Sequence, residues 1–331
     1  MTPRLLRRFR PLAILAATFA AGFCATATAQ EFPAGNPVTI VMTFPAGSGV
    51  DIVGRMMQDA MQKSLGVSLV FEYRPGAAGN VASEYVARAK PDGHTVLFGT
   101  AATHGVNAAL YKKLPFDVEA DFTPIAPIVN VSNVLTINAS VIDVHTVQEL
   151  IDKVRANPGK YNYGSTGNGT GTHLAFAEFI SKTGLNMTHV PYKGGPDAIA
   201  AVLKGEVCCY MSQVQSMLAN YKAGKVRLLG VTTKERVSAV AEVPTVSEAG
   251  VPGFDNYTWF GLFGPKNMEP VAVRKINAAV KAALETPAIR QRLIETGNTP
   301  FYETPEQFKA TVKANRAKWA VVVKESGATV D

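Results

Sequence analysis

Cysteine is scarce in this sequence, with three residues in a chain of 331. Cys24 stands alone, while Cys208 and Cys209 are adjacent, and a disulfide between neighbouring residues strains the peptide that joins them. A small secreted domain held by a disulfide framework is therefore excluded. The pair also lacks the repeated CxxC spacing of a zinc site. We expect two buried thiols in a strand.

Motifs of several large functional classes are also absent. The sequence has no GxxxxGK[ST] phosphate loop, no GxSxG nucleophile elbow, no GxGxxG turn after the first strand and no HExxH pair. Carboxylates occur singly, without the spacing of a paired acid and base. No run of Lys and Arg interleaves with aromatic residues, so the pattern of a nucleic-acid binder is missing. We assign no catalytic residue, no metal ligand and no cofactor.

The amino terminus has the pattern of a secretory signal peptide. Four arginines precede the apolar run Leu12–Phe23, and Ala27-Thr28-Ala29 offers a small-residue cleavage site. The run is shorter than the roughly 20 apolar residues that a membrane-spanning helix needs. We predict cleavage after Ala29 and export to the periplasm. Because the leader carries four arginines and no acidic residue, its removal lowers the net charge from +7 to +3.

From Val38 onward, short apolar runs alternate with helical patterns, which is the rhythm of an α/β fold with largely parallel strands. A first series of three strands is predicted at Val38–Phe44, Ser68–Phe71 and Thr95–Gly99, with helices at Asp51–Leu65 and Asn80–Ala89. A second series follows, with strands at Val131–Ile137, Tyr161–Gly164, Met187–Val190, Val207–Met211 and Val226–Thr232.

The end of the chain is predicted to return to the first series. A strand at Thr258–Gly264 precedes three helical stretches, the last of which begins after Thr304. We therefore predict two doubly wound lobes with a central ligand cleft at the carboxyl ends of their strands. Lobe 1 would comprise residues 30–129 and 253–331, and lobe 2 residues 130–252.

The loop Phe44–Asp51, FPAGSGVD, joins a predicted strand to a predicted helix. Its glycines allow the backbone to approach a ligand, and the first N–H groups of a helix have no intrahelical partner, so such a turn attracts anions. A purely structural turn, with Asp51 capping its helix, is equally compatible with this loop alone.

A second glycine-rich loop, Gly164–His173, follows a strand of the other series and opens a helix at Leu174. Two donor-rich turns on opposite sides are what a cleft for an anion requires, although a mobile linker is the alternative. The segment Gly99–Asn107 also follows a strand end, so Thr100, Thr103 and His104 are further candidates for the cleft, or caps of the next helix.

Several sequence blocks carry a family resemblance. They are FPAGSGVD from Phe44, YRPGAAGN from Tyr73, PDGHTVLFGT from Pro91, AALYKKLPFD from Ala108, YNYGSTGNGTGTHL from Tyr161, HVPYKGG from His189, EVPTVSEAGVPGF from Glu242 and WFGLFGP from Trp259. On these motifs, over residues 37–327, the chain resembles the Bordetella uptake gene (Bug) family, the receptors of tripartite tricarboxylate transporters.

The resemblance implies a periplasmic solute-binding protein with a type II-like fold, whose two lobes close on a small carboxylate and deliver it to integral membrane subunits. It implies no catalysis, and we expect a monomer without nucleic-acid partners. In similar proteins, loops from both lobes hold the ligand carboxylate. The ligand-binding residues predicted here are Pro45, Ala46, Gly47, Ser48, Gly49, Asp51, Thr100, Ala101, Thr103, His104, Thr166, Gly167, Asn168, Gly169, Thr170, His173, Ser212 and Gln213.

Two departures from the family pattern bear on the ligand. Ser48 adds a hydroxyl where the family commonly has glycine, and Ser212 stands where many relatives carry an aspartate suited to an amine. We therefore predict a dicarboxylate, tricarboxylate or aromatic carboxylate without an amino group. Two other functions stay open, a ligand sensor for a membrane receptor and an exported enzyme acting on a carboxylate.

Overall fold

The computed structural model describes residues 32–326, so the predicted signal peptide, residues 1–29, lies outside the described residues. The strands are β1 (Val38–Met42), β2 (Leu69–Tyr73), β3 (Thr95–Thr100), β4 (Phe122–Ile137), β5 (Asn162–Ser165), β6 (Thr188–Pro191), β7 (Cys209–Gln213), β8 (Arg227–Val231), β9 (Tyr257–Pro265) and β10 (Asn298–Pro300). The helices are α1 (Gly49–Leu65), α2 (Asn80–Ala87), α3 (Asn107–Leu110), α4 (Val147–Arg155), α5 (Gly171–Thr183), α6 (Gly195–Lys204), α7 (Val214–Lys222), α8 (Pro270–Glu285), α9 (Pro287–Glu295) and α10 (Pro305–Ser326).

The strands form one continuous sheet in the order β2-β1-β3-β9-β4-β7-β5-β6, with β8 and β10 also paired to β4. The amino-terminal part of β4 pairs with β9 and β10, and these strands together with β1, β2 and β3 form the first subsheet. The carboxyl-terminal part of β4 pairs with β7 and β8, which with β5 and β6 form the second subsheet. A single long strand therefore links the two subsheets.

Helices pack against both subsheets, and the α/β fold class predicted from the sequence is confirmed. The expectation of largely parallel strands is correct for β1, β2 and β3 and for β5, β6 and β7. It is wrong for β4, which runs antiparallel to all its partners, and for β9, which runs antiparallel to β3. The sheet is therefore mixed.

β4 is much longer than the predicted strand Val131–Ile137, and its additional first half contains Pro124 and Pro127. A proline lacks the N–H of a ladder bond and usually marks an edge or a bulge. The register with β9 shifts once at each proline, between Pro124 and Ala126 and between Pro127 and Val129. The strand continues through both prolines because the register shifts where each proline lacks the N–H of a ladder bond.

The large hydrophobic clusters separate along the same division of the sheet. The largest joins β1, β2 and β3 to α1 and α8, while two others lie wholly between Val134 and Phe254. The division into lobes at residues 129–130 and 252–253 stays a prediction. No helix between residues 32 and 326 is both long and apolar enough to cross a membrane.

Threonine caps define the starts of two helices, α4 and α10, and the start of α10 after Thr304 was predicted from the sequence. The Thr146 hydroxyl accepts the Glu149 N–H at 3.1 Å, and α4 begins at the next residue. The Thr304 hydroxyl accepts the Gln307 N–H, and the Gln307 carboxamide accepts the Thr304 N–H, so α10 begins with a reciprocal capping box. The amino ends of both helices are therefore capped by side chains of the protein itself.

Candidate ligand-binding cleft

A narrow cavity lies between the two subsheets, where strands of both meet at their carboxyl ends. The residues that line it are Phe44, Ser48, Gly49, Val50, Thr100, Ala102, Thr166, Thr170, Gly171, Thr172, Gly195, Gln213, Thr258 and Phe260. They come from the loops after β1, β3, β5 and β6, from the end of β7 and from β9. Among the residues that the structure describes, the cavity wall contains no charged side chain.

The amino terminus of α1 points its backbone donors at this cavity. The first intrahelical bond runs from the Ile52 N–H to the Ser48 carbonyl at 2.9 Å, so the earlier N–H groups of the helix have no intrahelical acceptor. Ser48 occupies the N-cap position, yet its side chain makes no capping bond. Its hydroxyl is buried and lacks a partner among the described residues. Gly49 and Val50 therefore present free amides to the cavity wall.

Two helices of the second subsheet repeat this arrangement. In α5 the first intrahelical bond joins the Leu174 N–H to the Thr170 carbonyl at 3.0 Å, and in α6 it joins the Ala198 N–H to the Gly194 carbonyl at 3.2 Å. Neither helix has a side-chain cap. Three helix amino termini with unpaired N–H groups thus converge on one cavity, and their dipoles favour an anion there.

Asp51 holds the first loop from beneath. Its carboxylate, on a residue that is 4% exposed, accepts the Gly47 N–H at 2.8 Å and the Tyr73 hydroxyl at 2.6 Å. The Arg55 guanidinium lies 2.9 Å away, and the hydrogen bond and charge of Asp51 raise the pKa of Arg55. Asp51 therefore holds the loop through the Gly47 N–H and does not line the cavity. The N-cap position of α1 belongs to Ser48.

Hydroxyl groups order the second loop. The Thr172 hydroxyl accepts the Thr166 N–H at 3.0 Å and lies 3.1 Å from the Thr170 hydroxyl, which donates to the Gly167 carbonyl at 2.8 Å. The Gly169 N–H donates to His173 Nδ1 at 3.1 Å. These bonds link the loop to the first turn of α5.

Two neutral histidines support that loop from behind. The rings of His173 and His189 stack with their centroids 4.0 Å apart, and His189 Nε2 lies 2.7 Å from the Ser165 hydroxyl. Burial lowers the pKa of His173 to about 4. Burial and the charge of His173 lower the pKa of His189 to about 3. At neutral pH neither ring supplies a positive charge to the cavity.

His104, predicted as a cleft residue, lies in an aromatic core. It is 1% exposed, stacks on Phe263 with centroids 3.7 Å apart and meets the edge of Phe122. Its Nδ1 lies 2.8 Å from the Thr103 hydroxyl, and burial lowers the pKa of His104 to about 3. Only Thr100 and Ala102 of this segment reach the cavity wall. Ala101 and Thr103 are buried beside them.

Ser212 also faces away from the cavity. It is fully buried within the sheet, and its hydroxyl lies 2.6 Å from the Thr136 hydroxyl of the neighbouring strand β4. Because alternate residues of a strand point to opposite faces, the next residue, Gln213, lines the cavity instead. The role in ligand selection predicted for Ser212 has no direct contact to support it.

The predicted residues that line the cavity are Ser48, Gly49, Thr100, Thr166, Thr170 and Gln213. Pro45 lies beside Gly194, where a Cβ would come 2.8 Å from Pro45 Cδ, so the first loop contacts the start of α6. Gly47, at φ 79°, approaches Pro196 of the same helix. Ala46, Gly167, Asn168 and Gly169 belong to the two loops without lining the cavity. The structure thus brings both predicted loops together.

Sequence reasoning missed part of the wall. Gly195 lies in the block HVPYKGG, whose paired glycines before a helix were a usable signal. Thr258 and Phe260 could not be predicted as cavity residues. They are alternate residues of an apolar strand, and the sequence does not tell which side of that strand faces the cleft. The cavity is small, about 30 Å³, because the first loop contacts the start of α6.

Comparisons with known proteins agree with one another. A family model described as the tripartite tricarboxylate transporter family receptor matches residues 53–328. The protein BugT of Bordetella pertussis is 29% identical over 309 residues, which cover 93% of this chain and 94% of BugT. The structure of R. palustris Rpa4515 with adipate has a TM-score of 0.87 and 32% identity, and covers 91% of this chain and 100% of that chain.

A second solved structure, MatC from Rhodopseudomonas palustris with bound malate, has a TM-score of 0.81 and 31% identity. The match covers 87% of this chain and 98% of MatC. The matched family consists of receptors and not of enzymes.

Proposed function

Because the chain belongs to the tripartite tricarboxylate transporter receptor family, we propose that it is a periplasmic solute-binding protein that captures a small carboxylate and delivers it to the membrane subunits of such a transporter. Cleavage of the signal peptide after Ala29 would release it as a monomer into the periplasm.

One observation carries the carboxylate assignment. Three helix amino termini, those of α1, α5 and α6, direct unpaired N–H groups into a single cavity without a charged wall. Hydrogen bonds to a charged group contribute roughly 1.5 to 3 kcal/mol each, so a carboxylate is stabilised there without a lysine or arginine. A cation would meet the positive ends of the same helices.

The cleft also disfavours an amino group on the ligand. The carboxylate nearest the first loop, that of Asp51, already accepts from Gly47, Tyr73 and Arg55. Among the described residues, the wall of the cavity contains no acidic side chain. An ammonium group would therefore lose its water without gaining a counter-charge. Adipate and malate, bound by the two structural relatives, are dicarboxylates, and we propose the same class here, with tricarboxylates and aromatic carboxylates as further candidates.

We propose that binding closes lobe 1 (residues 30–129 and 253–331) onto lobe 2 (residues 130–252). Contacts from α1 on one side and from α5 and α6 on the other exist together only when the cleft is closed, so the ligand favours the closed form by that difference in affinity. The membrane subunits would recognise this form.

Isothermal titration and thermal shift on the mature protein test the proposal. The panel contains adipate, malate, succinate, glutarate, citrate and benzoate, with the dimethyl ester of adipate as the uncharged control. A true ligand at 100 times its Kd stabilises the folded state by about 2.7 kcal/mol. We expect at least one carboxylate to do so and the ester to have no effect. Binding of the ester as tightly as the acid, or of no carboxylate at all, would contradict the proposal.

Pairs that differ only by an amino group test the ligand class. Succinate is compared with aspartate, and glutarate with glutamate, and we expect the deaminated member of each pair to bind more tightly. Tighter binding of either amino acid would overturn this part of the proposal.

A further inference from the structure

Gln215 is a buried glutamine whose carboxamide has no partner. It is the second residue of α7 and is 8% exposed. Both Nε2 and Oε1 lack a hydrogen bond among the described residues. A buried polar atom without a partner costs roughly 1 to 3 kcal/mol, so native proteins rarely keep one without a reason. Gln215 was not among the residues that the sequence indicated.

The carboxamide lies against the amino terminus of α1, across the cleft from its own helix. A Cβ built on Gly49 would come 2.7 Å from Gln215 Nε2 and 1.9 Å from Gln213 Oε1. Both glutamine side chains therefore rest on the bare Cα of Gly49. The Gly49 N–H has no intrahelical acceptor, and the adjacent Ser48 hydroxyl is a further buried group without a partner.

Beside the two glutamine carbonyl oxygens, which are acceptors, this contact gathers several donors that need an acceptor. The Gly49 and Val50 amides, the Ser48 hydroxyl and the Gln215 NH₂ all donate, and no carboxylate or carbonyl of the described residues takes these bonds. A ligand carboxylate has about four lone-pair sites, so one such group can accept from the amides of α1 and from Gln215 together.

We propose that Gln215 is a specificity-determining residue, whose carboxamide donates from the second subsheet to the ligand carboxylate held at the amino terminus of α1. This inference rests on the proposed function. Gly49 is the position that makes the contact geometrically possible, because any side chain there displaces both glutamines. Since α1 and α7 flank different subsheets, the bond forms only when the cleft closes, and it contributes to closure directly.

Substitution of Gln215 by leucine separates a ligand contact from a structural role. Leucine keeps the approximate volume and removes both unpaired polar atoms, so the protein without ligand should be at least as stable as the wild type. We expect the affinity for adipate, or for whichever panel carboxylate the wild type binds, to fall tenfold or more. Gln215→Glu should weaken binding further, because it places a second anion beside the ligand. Gln291→Ala, at an exposed glutamine on α9, is the matched control and should leave binding unchanged.

A double-mutant cycle with Gly49→Ala tests the geometry. Gly49 has no left-handed φ, so alanine fits its backbone, and the atoms nearest to the added Cβ are the movable ends of the two glutamines. We expect Gly49→Ala to weaken carboxylate binding in the wild type and to have a much smaller effect in the Gln213→Ala, Gln215→Ala background. Equal effects in both backgrounds would overturn the proposal.

The outcomes distinguish the role of Gln215 from the proposed function. If the wild type binds a carboxylate and Gln215→Leu binds it equally well, the role of Gln215 is refuted and the proposed function stands. If the wild type binds no carboxylate of the panel, both fall. A loss of unliganded thermal stability in Gln215→Leu, with affinity unchanged in the molecules that remain folded, would show a structural role alone.

Discussion

Asp51 supports the first ligand loop, so Asp51→Asn should damage stability and binding together. Three donors converge on the carboxylate, from the Gly47 backbone, the Tyr73 hydroxyl and the Arg55 guanidinium. An asparagine offers one acceptor oxygen and places an NH₂ group against the remaining donors. The Arg55 side chain is 56% exposed and can turn to water, so its loss costs little. At least one of the two part-buried bonds, from Gly47 or from Tyr73, is lost.

A buried hydrogen bond to a charged group contributes roughly 1.5 to 3 kcal/mol, so we expect the free energy of unfolding to fall by about 2 kcal/mol. For a domain of 150 to 250 residues, the size range of the proposed lobe 1 that contains Asp51, this lowers Tm by roughly 4 to 8 °C. Because the Gly47 N–H no longer anchors the loop, affinity for a carboxylate should also fall. Differential scanning fluorimetry and titration with the carboxylate measure both effects.

Asp59→Asn is the matched control, since Asp59 is an exposed aspartate on the same helix α1. It changes the net charge by the same amount but should leave Tm and affinity close to those of the wild type. If Asp51→Asn behaves like Asp59→Asn in both assays, the assignment of Asp51 as the anchor of the loop is refuted.

Two further predictions concern titration and thiol chemistry. His104, His173 and His189 have folded pKa values of about 3, about 4 and about 3, against about 6.5 in an unfolded chain. As the pH falls from 6.5 towards 4.5, these histidines bind protons in the unfolded chain but not in the folded protein. The free energy of unfolding should therefore decrease in that pH range. Thermal melts from pH 7.5 to 4.5 measure this decrease in stability, and we expect a smaller decrease in Tm for His189→Gln. A wild-type Tm that stays constant or rises as the pH falls would contradict the prediction. Cys208 and Cys209 are buried free thiols with sulfurs 3.0 Å apart, and burial raises the pKa of Cys209. A disulfide reagent should therefore react slowly with the native protein and titrate both thiols after denaturation, whereas a mature protein lighter by two hydrogens would show a vicinal disulfide instead.

Much of the fold could be predicted because local patterns and tertiary structure agree in most elements. The start of α10 after Thr304 and the strand β3 lie where the sequence places them. The first half of β4 could not be predicted, since Pro124 and Pro127 argue locally against a strand that only the pairing with β9 sustains.

The cleft was predictable at the level of loops and not at the level of side chains. The two glycine-rich turns reach the cavity because strand ends in parallel arrays meet at one edge. His104 and Ser212 were expected in the cleft, yet one joins an aromatic stack and the other bonds to Thr136. Gln215 could not be predicted, because its proposed role depends on a contact with Gly49 that no local sequence pattern encodes.

The position of β9 has a consequence for how the chain reaches this fold. β3 and β4 are consecutive strands, but β9 lies between them and pairs Leu97 with Phe263 and Asn130 with Trp259. These pairings join residues that are far apart in the sequence. The chain loses conformational entropy when it closes the long loop between them, so we expect the pairings to form slowly. A chain that is still folding therefore carries two unpaired strand edges until β9 has paired with them. During that interval it resembles a folding intermediate open to edge-to-edge aggregation.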